Sequence, residues 1–233
     1  MAAPFYVSPE QQVQDKAEFA RKGVSRGKPI VALDYVDGVV MIAENRSGSL
    51  RKIGEIYDRI GFAGVGKFDE YENLRKQGVR YADVRGYSYS RDDVAASNLA
   101  TEYSTVLGQI FSQPYTKPLE VELLVVEVGD EGTQYFQIMF NGFVRDRQNY
   151  VAIGGEPERL ENVLKQSWKA GLTLSEAVAL GRKALTQAGN ESSKLDPENL
   201  EIVLLDRRRE GRKFRRLKAT DVRALEEFGE LRS

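Results

Sequence analysis

Apolar segments that fold back on themselves at glycine turns are the feature that most constrains how this chain folds. Asp37-Gly38 and Asn141-Gly142 are hairpin signals, because such pairs tolerate the positive φ that a tight turn between antiparallel strands requires. Strand-like runs flank these turns and recur in both halves of the chain. The predicted strands are 29–35, 40–43, 53–57, 61–66, 121–128, 134–140, 151–155, 200–205 and 214–217.

Helical patterns separate the blocks of strands. Ser8-Pro9-Glu10 predicts a helix start, since it combines a capping hydroxyl, a proline and an acidic first turn. Gly23 and Gly78 are predicted to end two of the helices, and Thr220 to cap the last. The predicted helices are about 9–22, 68–78, 91–112, 156–169, 173–188 and 220–231. Strand blocks alternating with helix pairs indicate an α+β fold, with two mainly antiparallel sheets between outer helices.

The absence of histidine and cysteine from all 233 residues narrows the chemistry open to the chain. Without cysteine there is no disulfide, no thiolate nucleophile and no cysteine-based metal site. Without histidine there is no Ser-His-Asp catalytic triad, no HExxH zinc site and no imidazole to act as a general base near neutral pH. Many classes of enzyme are therefore excluded, and we expect no metal and no cofactor.

The charge balance and the hydropathy pattern bear on partners and location. The 34 basic and 35 acidic residues give a formal net charge of −1, which does not favour adhesion to a polyanion or to a membrane surface. No apolar run is long enough for a transmembrane helix, and the opening MAAPFYVSPEQQ lacks the regions of a secretory signal. We therefore expect a cytoplasmic protein without a nucleic-acid or membrane partner.

Several motifs, taken in order and register, resemble the core subunits of the proteasome. The segments KPIVALDYVDGVVMIAENRS (28–47) and KIGEIYDRIGFAGVGKFDEY (52–71) are similar to the opening of those subunits. The preceding EFARKGVSRG (18–27) is similar to the E-Y-A-x-x-A-V-x-x-G helix motif of α subunits. The FxxSPEQ start and the ARKG helix end resemble actinobacterial α subunits, and the resemblance covers about residues 5–230.

The resemblance implies both a fold and a function. The fold is a four-layer α-β-β-α sandwich of the N-terminal-nucleophile hydrolase type, with one domain at 9–233 after an N-terminal gate arm at 1–8. The family forms four stacked seven-membered rings, with α rings outside and β rings inside. An α subunit is expected to join other α chains in a ring, contact β subunits, gate substrate entry and dock a regulatory ring ATPase or another activator for protein degradation. Nucleotide would bind to that partner.

Catalysis in this family does not need histidine, because the β subunits begin with a threonine whose own α-amino group is the base. In the β pattern that threonine lies directly before the I-V-A-L strand, where this chain has Lys28-Pro29 after 27 other residues. Lysine offers no hydroxyl nucleophile. The strand-end acid of β subunits corresponds to Glu44. We therefore expect a non-catalytic subunit without catalytic residues, with Lys28 facing solvent where the strand begins.

Three residues are assigned to activator docking through the resemblance. Lys52 corresponds to a lysine in the pocket between adjacent α subunits, which receives the terminal carboxylate of regulatory partners. An ammonium suits that role, because it pairs with a carboxylate in a charge-assisted hydrogen bond. Pro9 corresponds to the proline turn that partner binding displaces, and Gly27 is assigned to the same site.

The N-terminal arm and the first helix are assigned to the gate and to the ring. The arm is short and apolar, and seven such arms would meet at the axis of a ring. Its candidate gate residues are Ala2, Ala3, Pro4, Phe5, Tyr6, Val7 and Ser8. Glu18, Phe19 and Arg21 are the candidate ring contacts. The Tyr-Asp-Arg gate motif of archaeal and eukaryotic relatives is absent and Phe19 lacks the helix tyrosine's hydroxyl, so we expect other contacts to hold this gate.

Two other functions remain open at this point. A stand-alone N-terminal-nucleophile hydrolase would require cleavage that exposes a hydroxyl residue such as Ser25. An RNA-binding module could use the basic run at 207–216, which holds seven basic residues and one acidic residue. The run is better interpreted as the solvated tip of a hairpin, since it has a glycine at its centre and predicted strands on both sides. Only one aromatic residue interrupts it, so it offers no platform for base stacking. Asp92 and Asp93 lack the ligand spacing of a cation site, and the glycines form no phosphate-binding loop.

Overall fold

The computed structural model describes residues 8–130, 132–188 and 195–228. Within those residues ten strands form two five-stranded sheets in which each neighbouring pair is antiparallel. The strands are β1 (Ile30–Tyr35), β2 (Gly38–Glu44), β3 (Ile53–Tyr57), β4 (Ile60–Gly66), β5 (Val121–Gly129), β6 (Gly132–Ile138), β7 (Val144–Arg147), β8 (Tyr150–Ile153), β9 (Leu200–Asp206) and β10 (Phe214–Arg216). The first sheet has the order β10-β9-β2-β1-β8, and the second has the order β3-β4-β5-β6-β7.

Six α-helices lie around these sheets in the described part of the chain. They are α1 (Pro9–Ser25), α2 (Phe68–Ser88), α3 (Ala96–Ser112), α4 (Pro157–Ser167), α5 (Leu174–Ala188) and α6 (Ala219–Phe228), with short 3-10 turns at Arg91–Asp93 and Pro197–Asn199. None of the described helices is both long enough and apolar enough to cross a bilayer.

The two sheets pack face to face and bury three layers of apolar side chains. Alternate residues of each strand point to opposite faces, so neighbours such as Val31 and Ala32 belong to different layers. The middle layer lies between the sheets. One outer layer joins the first sheet to α4, α5 and α6, and the other joins the second sheet to α2 and α3. This α-β-β-α arrangement confirms the predicted fold class.

Several predicted boundaries were wrong, and the glycines explain two of them. α1 continues past Gly23 to Ser25, and α2 continues past Gly78 to Ser88. Each glycine allows a close approach: an added Cβ would lie 2.6 Å from Glu120 Cβ in the first case and 2.9 Å from Tyr103 Cζ in the second. The absent side chain permits packing there, and the helix does not end.

Other differences have local causes. The single helix predicted at 91–112 is a 3-10 turn at Arg91–Asp93 followed by α3, with the turn capped by the Ser90 side chain. Strand β7 was not predicted, because three of its four residues are charged. Thr220 lies inside α6 and is not its cap; the carboxylate of Asp221 instead accepts the backbone N–H of Lys218. The predicted end of this helix near 231 lies outside the described residues.

Candidate functional site

Lys52 lies directly before strand β3, at one end of the sandwich. Its ammonium donates a hydrogen bond to the backbone carbonyl of Lys28 over 3.2 Å. Burial lowers the pKa of the Lys52 ammonium to about 8, because the charged form loses water, while the nearby carboxylates of Glu44 and Glu201 oppose that shift. The side chain is therefore a partly buried ammonium whose charge changes just above neutral pH.

Glu201 holds the backbone of this segment in place. Its carboxylate, on strand β9 of the first sheet, accepts the N–H of Lys52 at 3.0 Å and the N–H of Ile53 at 3.2 Å. It also accepts from the Asn45 side chain at 2.6 Å and pairs with the guanidinium of Arg216. The side chain of Glu201 is 1% exposed. One buried carboxylate thus bridges the two sheets at the base of Lys52.

The position that corresponds to the β-subunit threonine holds a paired cation. Lys28 is 56% exposed in its side chain, and its ammonium lies 3.2 Å from a carboxylate oxygen of Glu44, the last residue of β2. The predicted solvent-facing lysine is therefore a little more than half exposed, and its ion pair with Glu44 was not predicted. Ser25, the alternative nucleophile, lies in the last turn of α1, where its hydroxyl donates to the carbonyl of Lys22 at 3.1 Å.

A cationic cavity of about 630 Å³ opens beside Lys52, between the edge strands β3 and β10. Its charged lining comprises two acids, Glu55 and Glu72, and the basic residues Arg51, Lys52, Arg75, Arg209, Arg212, Arg215 and Arg216. Arg75 pairs with Glu72, and Arg212 pairs with Glu55. Three of the arginines, Arg51, Arg209 and Arg215, make no ion pair with the described residues. The surplus of cations favours an anionic partner.

The residues assigned to docking lie in two places in this chain. Gly27 is close to Lys52, because the Lys28 carbonyl that Lys52 contacts belongs to the next residue. Pro9 is the first residue of α1, where the Ser8 hydroxyl accepts the N–H of Gln11 at 3.2 Å. The 17 residues of α1 place Pro9 about 25 Å from the end of the helix that leads into Gly27. Pro9 and Lys52 therefore do not form one site within a single chain.

The candidate ring contacts lie on the exposed surface of α1. Glu18 forms an ion pair with Lys22 at 2.7 Å, one helical turn further on. Phe19 is 45% exposed, and the ammonium of Lys117 lies 5.3 Å from its ring centre. The guanidinium of Arg21 lies 6.0 Å from the ring centre of Phe140. All three remain accessible to another chain.

Most of the candidate gate residues lie outside the described residues, namely Ala2, Ala3, Pro4, Phe5, Tyr6 and Val7. The remaining gate residue, Ser8, caps α1.

The basic run at 207–216 forms the expected hairpin between β9 and β10, and three of its seven basic side chains, those of Arg208, Arg212 and Arg216, form ion pairs with described residues. Arg207 donates to the Gly129 carbonyl at 3.3 Å, which links the first sheet to the second. Arg212 pairs with Glu55 on β3, and Arg216 donates to the Ile53 carbonyl at 2.6 Å. The interpretation as a solvated charge run holds for Arg212, whose side chain is 62% exposed, while Arg207 and Arg216 are half-buried. Arg212 and Arg216 therefore join the two sheets along β3, whereas Arg207 joins them at the opposite end of β9 from Glu201.

Sequence reasoning missed Glu201 and Arg216, although the sequence holds a signal for them. Glu201 is the second residue of an otherwise apolar strand, Leu-Glu-Ile-Val-Leu-Leu. A carboxylate in a buried strand requires a cation or several hydrogen-bond donors beside it.

Among the described residues, no group of acidic side chains is placed to bind a metal ion.

Comparison with known proteins shows which family the sequence matches. Residues 24–205 match a family model described as "Proteasome subunit". Three similar proteins are named "Proteasome subunit alpha". That of Kineococcus radiotolerans is 50% identical over 225 residues, which cover 93% of this chain and 94% of the relative. That of Streptomyces coelicolor is 49% identical, covering 98% and 92%. That of Thermomonospora curvata is 48% identical, covering 97% and 98%.

Proposed function

Since the chain belongs to the proteasome subunit family, with actinobacterial α subunits among its relatives, we propose that it forms the outer rings of the core particle, gates substrate entry and docks regulatory partners through Lys52. The observation that carries the docking role is the Lys52 ammonium, which contacts the Lys28 carbonyl and belongs to a residue that lines a cationic cavity.

The chain is an α-type subunit, and α subunits are the non-catalytic subunits of a threonine-type protease complex. The chemistry at the corresponding position agrees with that role. The Lys28 ammonium is paired with Glu44 where a β subunit has its threonine hydroxyl. An ammonium in that place cannot attack a peptide carbonyl through an oxygen.

A proteasome subunit assembles into the core particle with other subunits. We propose that this chain forms seven-membered rings with its own copies, with Glu18, Phe19 and Arg21 of α1 in the contact, and that these rings stack on β rings in the cytoplasm. Exposed apolar surface on α1 supports the ring contact, since Val13 and Phe19 are about half exposed. The arm at 1–8 would close the pore. The partner would be a ring ATPase or another activator, which would supply the nucleotide site.

The geometry of Lys52 supports capture of a terminal carboxylate. A partly buried ammonium makes stronger charge-assisted hydrogen bonds than one in water, because the local dielectric is lower. The separation of Pro9 from Lys52 within one chain also fits a pocket shared by two subunits. The Pro9 of a neighbouring copy would complete the site, and a partner there could displace the proline turn.

The experiment is a Lys52→Ala variant in a core particle assembled with β subunits. We expect native mass spectrometry to show the complete particle, and we expect the source organism's proteasomal ring ATPase to lose its stimulation of substrate degradation. Lys183→Ala, on the exposed side of α5, is the matched control and should respond as the wild type does. Loss of assembly in Lys52→Ala would count against the pocket assignment, and full stimulation would refute the docking role.

A further inference from the structure

We propose that Glu201 is a positioning residue for activator docking: its buried carboxylate fixes the backbone of Lys52 and thereby places the docking ammonium. This inference rests on the proposed docking function of Lys52. Glu201 itself is enclosed by the protein and would not touch the partner.

The contacts of Glu201 converge on the residues that carry the docking lysine. One carboxylate oxygen accepts the N–H of Lys52 and the other accepts the N–H of Ile53, at 3.0 and 3.2 Å. These two donors belong to consecutive residues at the start of an edge strand. A strand at the edge of a sheet lacks a neighbour on one side, so its free N–H groups need another acceptor. Glu201 supplies that acceptor from the opposite sheet.

Arg216 and Glu201 together form a clamp that holds the backbone of Lys52 and Ile53. The guanidinium of Arg216 pairs with Glu201 and donates to the carbonyl of Ile53 at 2.6 Å. The N–H and the C=O of Ile53 are therefore both held by one buried ion pair. Asn45 adds a bond to Glu201 at 2.6 Å and another to the Leu50 carbonyl at 2.8 Å, which ties down the loop leading to Lys52.

Glu201 also contributes to the charge around the ammonium. The charged groups that face Lys52 are Glu44 on β2, Glu201 on β9, and Lys28 before β1, with Arg216 on β10 paired to Glu201. The two carboxylates favour the charged form of Lys52, whereas burial and Lys28 disfavour it. Glu44 acts through charge alone, since it makes no described hydrogen bond to the Lys52 backbone, while Glu201 acts through charge and through position. The pair Glu201→Gln and Glu44→Gln separates these effects.

The first measurement needs no substitution. Hydrogen exchange in the wild-type core particle should show slow exchange of the Lys52 and Ile53 amides. Exchange of both at the rate of unprotected amides would overturn the proposal.

The second measurement uses a short fluorescent peptide with the C-terminal sequence of the ring ATPase, as a free acid and as an amide. Its affinity for the particle is measured from pH 6.5 to pH 9.5. Because pH 6.5 is well below the wild-type pKa of about 8, we expect Lys52 to stay charged in both glutamine variants, so Glu44→Gln should bind the acid as the wild type does. Glu201→Gln should bind it about tenfold less tightly, because the ammonium is displaced from its hydrogen-bonding position. Both variants should lose binding at a lower pH than the wild type.

The outcomes distinguish the proposal from the function on which it rests. If Lys52→Ala binds the acid as well as the wild type, the docking function fails. If Lys52→Ala loses binding while Glu201→Gln matches Glu44→Gln at pH 6.5, only the positioning role fails. Should Glu201→Gln not assemble, Glu201→Gln/Arg216→Gln removes both charges and leaves no buried ion unpaired. Weak binding by that assembled variant supports the proposal, and wild-type binding refutes it.

Discussion

The ammonium of Lys52 and the backbone carbonyl of Lys28 are joined by a hydrogen bond of 3.2 Å, which links the entry of strand β3 to the segment that precedes β1. In a catalytic subunit that segment would begin with the nucleophile. Here it offers a carbonyl to one lysine and carries another lysine paired to Glu44. The same corner of the fold thus holds two ammonium groups, with the carboxylates of Glu44 and Glu201 beside them.

Docking should weaken as the pH rises. The pKa of Lys52 is lowered to about 8 by burial, so the ammonium is charged below that value and neutral above it. Binding of a carboxylate-terminated peptide should therefore decline as the pH passes 8, measured by fluorescence anisotropy. Lys52→Arg keeps its charge over this range, so whatever binding it retains should not decline. A flat profile for the wild type would contradict the assignment.

Gly27→Ala should impair docking more than assembly. An added Cβ would lie 2.9 Å from the Gly66 amide nitrogen and against Val65, so the segment that carries the Lys28 carbonyl would have to shift. We expect a several-fold loss of peptide affinity in particles of normal mass. Gly48→Ala is the control in the nearby loop, because nothing lies within 4 Å of a Cβ there. Equal affinities for the two variants would exclude Gly27 from the site.

Deleting residues 2–8 should raise the hydrolysis of small peptides by the whole particle, because the proposed gate would be removed. The deletion also removes the Ser8 cap, whose hydroxyl accepts the Gln11 N–H. Ser8→Ala keeps the other six gate residues and removes the cap, which should cost α1 about 1 kcal/mol and raise hydrolysis much less than the deletion does. Unchanged hydrolysis after the deletion would refute the gate.

Arg216→Met should destabilise the chain much more than Arg215→Met, although the residues are neighbours. Arg216 is the counterion of Glu201, which is 1% exposed, and removing one partner of a buried pair costs about 3 kcal/mol or more. Arg215 makes no described ion pair, so its loss should cost less than about 0.5 kcal/mol. Chemical denaturation of the two variants measures the difference, and similar unfolding midpoints would show that the clamp contributes little.

The alternation of strand blocks and helix pairs predicted the layers of this fold because it reflects periodic burial, which depends on local sequence. Glycine predicted the ends of helices less well. A glycine can end a helix, but it can also lie inside one where another side chain packs closely against the backbone. Gly23 and Gly78 lie inside helices because Glu120 and Tyr103, distant in sequence, approach there. A single sequence does not reveal which distant side chain will arrive.

The candidate site was likewise predictable from the sequence only in part. Lys52 is a docking candidate because of its place in a motif, but the residues that hold it in position could not be predicted. Glu201 follows it by 149 residues, and the two meet because β9 and β3 lie in facing sheets. Strand order across two sheets is decided by the packing of the whole chain. The residues that hold a candidate side chain in place are therefore harder to predict than the candidate itself.

Glu122 and Glu127, on the same strand, should respond in opposite ways to replacement by glutamine. Burial raises the pKa of the Glu122 carboxyl, although Gln137 and the Gly154 N–H donate to it. A raised pKa in the folded state means that stability is complete at low pH and falls as the pH rises through that pKa. Burial disfavours the ionised form, so Glu122→Gln, which cannot ionise, should stabilise the chain at pH 7 and flatten the pH dependence.

Glu127 instead pairs with Arg59 at 2.6 Å and accepts the Ala96 N–H at 2.7 Å. Glu127→Gln removes that ion pair and should destabilise the chain at pH 7 by about 2 kcal/mol. Urea unfolding of both variants at pH 5 and pH 7 provides the comparison. A loss of stability in Glu122→Gln at pH 7 would show that its two hydrogen bonds outweigh the cost of burying the charge.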